Sequence, residues 1–166
     1  MSGFLGQYQT TMDEKGRCAL PAKLRSVMGP DKKRLLEGTL ILCKGLEGCL
    51  SLYPEKEWSQ VQVRLATLNF TQRDFRFFSR RLYASACPVS PDRNGRILIP
   101  AHLIAEAKLE RELLVIGVNR WVEIWDARRY GYYLEQYSGS YEDVAERLFS
   151  GQSGAGDLNE PPAGTG

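Results

Sequence analysis

Asp13-Glu14-Lys15-Gly16-Arg17-Cys18-Ala19-Leu20-Pro21-Ala22-Lys23-Leu24-Arg25 and Asp92-Arg93-Asn94-Gly95-Arg96-Ile97-Leu98-Ile99-Pro100-Ala101-His102-Leu103-Ile104 are one motif written twice, 79 residues apart. Asp, Gly, Arg, Pro, Ala and Leu coincide at six of the thirteen positions without a gap, and Leu20 is matched by Ile99. Self-similarity of this kind marks a duplicated structural unit. The likeness continues downstream. Leu40 to Lys44, a turn over Gly45-Leu46-Glu47-Gly48 and Cys49 to Tyr53 match Leu113 to Ile116, a turn from Gly117 to Arg120 and Trp121 to Trp125, now at an offset of 72. The first copy therefore holds seven extra residues, which fall around Pro30-Asp31-Lys32-Lys33-Arg34. A loop absorbs an insertion of that size at small entropic cost.

Each copy predicts the same order of elements. Short strands over Tyr8–Thr10 and Ala84–Val89 lead into tight turns at Asp13–Gly16 and Asp92–Gly95. Second strands follow, Arg17–Leu20 and Arg96–Ile99. Pro21 and Pro100 then open helices over about Pro21–Met28 and Pro100–Lys108, since proline at a first helical position forfeits no hydrogen bond. After the hairpin a further helix opens at Pro54 or Asp126. Trp58, Val61, Leu65 and Leu68 fall on one face at helical spacing, and Tyr130, Tyr133, Leu134 and Tyr137 do likewise. Between the copies Phe70–Leu82 reads as helix, with Thr71 and Asp74 spaced as a capping box. Residues 151–166 are a polar Gly/Pro tail, expected to be disordered.

One copy alone is too small to bury enough of its surface for stability. The two are expected to pack about a pseudo-two-fold axis into a single closed β-core. Length and composition agree: 166 residues, 43% apolar and 25% charged, describe one ordinary globular domain or two small interlocked ones. The longest apolar run, Leu113 to Val118, is far short of the ~18 residues of a membrane span. The first eight residues carry neither the basic nor the apolar segment of a signal peptide. Cys18, Cys43, Cys49 and Cys87 are widely spaced, and His102 is the single imidazole. No metal site and no cofactor are expected from that spacing. The cysteines read as small apolar side chains in a reducing compartment.

Net charge is +2 but uneven. Residues 1–82 carry fourteen Lys+Arg against eight Asp+Glu, residues 83–150 eight against ten, and the tail adds only Asp157 and Glu160. A basic first half fits an anionic partner, or simply a solvated basic surface.

The chemistry of Asp-x-x-Gly-Arg sharpens this. Asp at the head of a turn accepts backbone N–H bonds two or three residues on. Gly16 and Gly95 supply a positive φ. Arg then stands at the base of the outgoing strand. Side by side about a pseudo-dyad, the turns bring Arg17 and Arg96 to one surface flanked by Lys15 and Arg93, suited to phosphates or to the O6/N7 edge of guanine. The alternative is that Asp13–Arg17 and Asp92–Arg96 ion pairs merely pin the turns.

Phe4-Leu5-Gly6, the two motifs and Val122-Glu123-Ile124-Trp125 together resemble the MraZ family of bacterial transcriptional regulators, over about residues 4–149. The resemblance implies an α+β fold of two interlocked swapped-hairpin, AbrB/SpoVT-like repeats forming one pseudo-symmetric β-barrel core with flanking helices. The repeats would occupy residues 4–58 and 83–130, with connecting helices at 59–82, a C-terminal helical segment at 131–150 and the tail at 151–166. It implies a closed-ring homo-oligomer, an octamer or similar, in the cytoplasm at the nucleoid. That ring would bind double-stranded DNA at repeated promoter boxes ahead of the division and cell-wall genes. Carried over by position, Lys15 and Arg17 with Arg93 and Arg96 read DNA, while Asp13, Gly16, Asp92 and Gly95 order the turns. The second motif has Arg93-Asn94 where the first has Glu14-Lys15, and the basic surplus lies in the first half, so Arg17 is weighted above Arg96.

Other features have plainer readings. Arg73, Arg76, Arg80 and Arg81 among Phe70, Phe75, Phe77 and Phe78 could stack on single-stranded nucleic acid. The expectation is instead phenylalanines against the core or a neighbouring subunit. Trp121 and Trp125 share one strand face, and His102 reads as a surface or packing residue. A protein-interaction module of the same fold, antitoxin-like or scaffolding, is the competing function. A short Gly-rich tail, rather than a long acidic one, counts against its antitoxin form. With no P-loop and no Ser/Cys–His arrangement, an enzyme acting on a small-molecule substrate is not expected.

Overall fold

Neither copy of the motif builds its sheet alone. The computed structural model describes residues 3–27 and 40–156, with side chains as far as Gly151. The first copy supplies β1 (Gln7–Thr11), β2 (Arg17–Ala19), α1 (Ala22–Val27), β3 (Leu40–Lys44) and β4 (Leu50–Pro54). The second supplies β5 (Cys87–Val89), β6 (Arg96–Leu98), α4 (Ala101–Glu106), β7 (Glu112–Val118) and β8 (Trp121–Asp126). Between them lie α2 (Glu55–Ala66) and α3 (Arg73–Ser85), and after them α5 (Ala127–Gln136) and α6 (Tyr141–Gly156).

The larger sheet is antiparallel throughout, in the order β1-β7-β8-β4-β3-β5, and the smaller is β2-β6. The first strand of each copy is thus given to the other copy's hairpin. Thr10 pairs with Leu113 in β7, and Val89 with Leu40 in β3. The pseudo-dyad passes through two pairs, Cys18 opposite Ile97 and Ser51 opposite Glu123. Where β1 and β5 end, the motif turns carry the chain directly into β2 and β6, so the two sheets are joined at both ends. A Met12–Cys18 bridge strengthens one corner.

Period-two alternation decides which side chains are enclosed. Val122 and Ile124 of β8 join Leu40, Leu42, Leu50 and Leu52 of β3 and β4, Cys18 and Ile97 of the small sheet, and Leu24 and Leu103 of the two short helices, in one buried cluster. The opposite face of the large sheet is covered separately. Trp58 and Leu65 of α2 and Leu82 of α3 pack on Cys43, while Tyr130 and Tyr133 of α5 pack beside Trp125. Glu106 ties α4 to this layer: Oε2 accepts from Lys44 Nζ at 3.0 Å and Oε1 from Arg81 Nη2 at 2.6 Å.

The duplication, the α+β class and the order of elements are as the sequence predicts, but several boundaries shift. Ala84 and Ser85 finish α3 rather than begin β5. Pro21 and Pro100 stand just outside α1 and α4, and Pro54 closes β4. Gly117 and Val118 belong to β7, so the second hairpin turns on Asn119-Arg120 alone, with Asn119 at φ 62°. Its loop is therefore shorter than the first hairpin's, and the uniform offset of 72 fails across β7. No capping box forms at Thr71; its N–H and hydroxyl both donate to Asn69 Oδ1, and Gln72 precedes the helix without a side-chain cap. The expected insertion site at 30–34 lies outside the described residues.

The chain divides into two compact units, Met1–Tyr133 and Leu134–Gly166. In the second, Ser140 Oγ accepts from Asp143 N–H at 3.2 Å while Asp143 Oδ2 accepts from Ser140 N–H at 3.4 Å, a reciprocal cap that starts α6. That helix runs to Gly156, past the expected start of the tail at 151. Among the described residues no helix is long and apolar enough to cross a membrane.

Candidate nucleic-acid interface

The two turns are built bond for bond alike. Asp13 Oδ1 accepts from the N–H groups of Lys15 and Arg17, both at 2.9 Å. Asp92 Oδ1 accepts from Asn94 at 2.8 Å and Arg96 at 3.0 Å. Gly16 and Gly95 donate back to the carbonyls of Asp13 and Asp92, at φ values of 85° and 74° that only glycine adopts without strain. Each turn is then locked to the other copy, since Leu20 N–H donates to Gly95 O at 2.9 Å and Ile99 N–H to Gly16 O at 2.8 Å.

These bonds set the electrostatics. The backbone N–H of Arg17, with smaller help from Lys15 and from the Arg17 and Arg96 charges, holds the Asp13 carboxyl below its ordinary value. The N–H of Arg96 does the same for Asp92. Asp13 Oδ2 lies 3.4 Å from Arg17 Nε, and Asp92 Oδ2 3.4 Å from Arg96 Nε. Both arginine side chains remain about one third exposed, 33% and 35%. The turn-pinning ion pairs therefore exist, yet they do not seal the guanidinium groups away. Exposed pairs of this kind contribute little against water.

On β2 and β6, Arg17 stands opposite Leu98 and Ala19 opposite Arg96. With Cys18 and Ile97 buried beneath, Arg17, Ala19, Arg96 and Leu98 form the outward face of the small sheet, one arginine at each end of a diagonal. Lys15 and Arg93 are exposed on the flanking turns. The four basic residues expected together are thus on two adjoining turns and the strands that leave them. Arg17 faces one carboxylate and Arg96 two, because Arg96 Nη1 also lies 3.9 Å from Asp13 Oδ2.

Sequence reasoning passed over Arg25. Its Nε donates to Leu20 O at 3.1 Å, and its guanidinium lies so close over Gly95 that a Cβ there would stand 2.5 Å from Cζ. The signal was present: at the same place in the second motif stands Ile104.

The remaining candidates divide. Phe75 packs inward with the α2–α3 cluster, whereas Phe70, Phe77 and Phe78 are exposed. Arg76 closes the start of α3 by donating to the carbonyls of Phe70 and Thr71. The indoles of Trp121 and Trp125 both donate to Glu123, at 3.2 and 3.0 Å, on their shared strand face. His102 Nε2 is 3.1 Å from Ser85 O. Cys18, Cys43 and Cys49 are buried and Cys87 half-buried. Among the described residues no group of three His, Cys, Asp or Glu is placed to hold a metal ion.

Fold and site define an internally duplicated α+β protein whose two copies exchange strands and set matching Asp–Arg turns side by side. A family profile described as "MraZ protein, putative antitoxin-like" matches it twice, over residues 4–81 and 82–151. A protein named transcriptional regulator MraZ from Heliobacterium modesticaldum is 41% identical over 145 residues, covering 87% of this chain and 96% of its own. Proteins of the same name from Caldanaerobacter subterraneus and Pelotomaculum thermopropionicum are 40% and 39% identical, over 87% of this chain and 95% and 94% of theirs. The chain belongs to the MraZ family, a family of transcriptional regulators and not of enzymes.

Proposed function

We propose that this chain is a sequence-specific DNA-binding regulator that grips repeated promoter boxes with Lys15, Arg17, Arg93 and Arg96. Asp13, Gly16, Asp92 and Gly95 hold the turns that carry them. The observation that supports this most is the outward face of the β2–β6 sheet, where both motif arginines stand a third exposed beside exposed Lys15 and Arg93. A two-pronged basic surface of this kind suits phosphates, or a phosphate and a guanine edge. The exchange of first strands favours the swapped-hairpin, barrel-like core that the family resemblance implies.

In the same reading the chain works in the cytoplasm at the nucleoid, as a closed ring whose subunits engage successive boxes ahead of the division and cell-wall genes. Boxes spaced by one helical turn, ~10 bp, keep to one face of the duplex. Several weak grips then add through effective concentration.

The test is a gel shift on the duplex upstream of the chain's own gene, against a shuffled duplex, with wild type and Arg17→Ala. The wild type is expected to prefer the natural duplex, and Arg17→Ala to lose most of that preference while eluting at the wild-type size. Undiminished preference in the folded variant refutes the site assignment.

A further inference from the structure

The two copies are not equivalent beside the turns, and Arg25 is where they part. In the second copy the corresponding side chain, Ile104, packs against the main core and lies 3.1 Å from the Cβ position of Gly16. In the first copy that place holds a guanidinium, laid over Gly95 of the opposite turn. Its Nε is spent on Leu20 O, which fixes the side chain's direction. No hydrogen bond or ion pair holds its two terminal nitrogens among the described residues. The side chain is half-buried, so its rotamer is restrained by packing before any ligand arrives.

We infer that Arg25 is a further DNA-contacting residue, which reaches across the pseudo-dyad to supply the second turn with a phosphate-binding guanidinium. This rests on the DNA-binding reading above. Three features carry it. The second turn is the one whose Arg96 faces two carboxylates, those of Asp92 and Asp13. The arginine brought to it is anchored through one nitrogen, which leaves the fork at the other end for a phosphate. The closely packed partner is Gly95, a residue with no side chain to stand between the guanidinium and a duplex lying on the turn. Arg25 thus adds to the differences that break the two-fold likeness of the surface.

The experiment is a binding titration at several salt concentrations, with the upstream duplex and a shuffled duplex, for wild type, Arg25→Ile and Arg25→Lys. Arg25→Ile places in the first copy the residue that the second already carries. It is expected to weaken binding to both duplexes about equally, by roughly tenfold, and to make the salt dependence shallower by about 0.9 in log–log slope, the signature of one phosphate contact. Arg25→Lys is expected to keep the wild-type slope. A residue that merely packs Gly95 would leave the slope unchanged in Arg25→Ile, and that result overturns the inference. So does a Lys variant with the shallow slope of the Ile variant. If the wild type shows no preference for the upstream duplex, the DNA-reading proposal itself fails. A wild type with that preference, beside an Arg25→Ile of unchanged slope, removes only the role of Arg25.

Discussion

Arg96 Nη1 lies 3.9 Å from Asp13 Oδ2, although the two residues belong to different copies of the motif. Asp13 is therefore both the organiser of its own turn and a counter-charge to the opposite one. Asp13 thereby couples local turn chemistry to the charge of the shared surface, whereas Asp92 faces only the arginine of its own turn.

Acid should loosen this arrangement in a definite window. Both carboxyls are held below the ordinary carboxylate value, in each case first by the backbone N–H of the following arginine. A depressed value in the folded state means that ionisation favours folding. The contribution is complete above the ordinary carboxylate value, and it is lost as pH falls through the folded one. Carboxyl carbon shifts of Asp13 and Asp92 should titrate with midpoints below that of a free aspartate. Melting temperature should fall more steeply below about pH 4 in the wild type than in an Asp13→Asn/Asp92→Asn protein, against a reference of ~3.9 for free Asp. Midpoints at or above the free value would remove the turn bonds from the explanation.

The turn glycines give a second, asymmetric expectation. Alanine at either position meets a positive φ, which costs about 1–2 kcal/mol for an L residue. The surroundings then differ. At Gly16 the new Cβ would stand 3.0 Å from the backbone carbonyl oxygen of Ile99, a residue whose own N–H is bonded to Gly16 O in the small-sheet joint. At Gly95 it would meet the flexible end of Arg25. Gly16→Ala should therefore lower the melting temperature more than Gly95→Ala. Gly95→Ala should instead displace Arg25 and lower DNA affinity beyond its effect on stability.

Much of this was legible in the residues because turn chemistry is local. Asp13 and Gly16 name a particular turn, and finding them again at Asp92 and Gly95 names a duplication. What the motif could not reveal was pairing at long range. Nothing in Gln7–Thr11 states that it will pair with β7 of the other copy, since an exchanged and an unexchanged hairpin present the same alternation. The second hairpin was misjudged for a related reason. Gly117 looks like a turn residue, yet it sits in β7 where a Cβ would strike the Phe4 backbone at 2.5 Å, a close approach of chains that only the fold reveals. Arg25 was missed because the residue it covers, Gly95, lies 70 residues away in the chain.

The thiols should be quiet. Burial pushes Cys18 and Cys43 up to about 12, and Cys49 higher still. At pH 8 almost none of these groups is thiolate, the reactive form. Cys87, half-buried on the edge strand β5, is raised as well but is the accessible one. An aromatic disulfide reagent at pH 8 should label Cys87 first and the other three only on unfolding. Modification of Cys18 at a rate close to that of Cys87 would show that the small sheet opens under native conditions.

That small sheet is also where stability and the proposed site meet, and neighbouring residues separate the two. Ile97 is fully buried opposite Cys18 on the pseudo-dyad, and Leu98 is 57% exposed opposite Arg17. Ile97→Ala removes core volume that surrounding strands from both copies cannot easily refill, at a cost of about 2–5 kcal/mol. Leu98→Ala leaves the core intact and should change stability by no more than about 0.5 kcal/mol. Denaturant unfolding measures both. DNA titration at a temperature where each variant remains folded should then invert the order. Leu98 borders the arginine face and its loss should alter binding, whereas a folded Ile97→Ala should bind much as the wild type does. If Ile97→Ala while fully folded also loses binding, the β2–β6 joint is not a rigid platform under the turns, and the two arginines are held by core packing rather than by their own motif bonds.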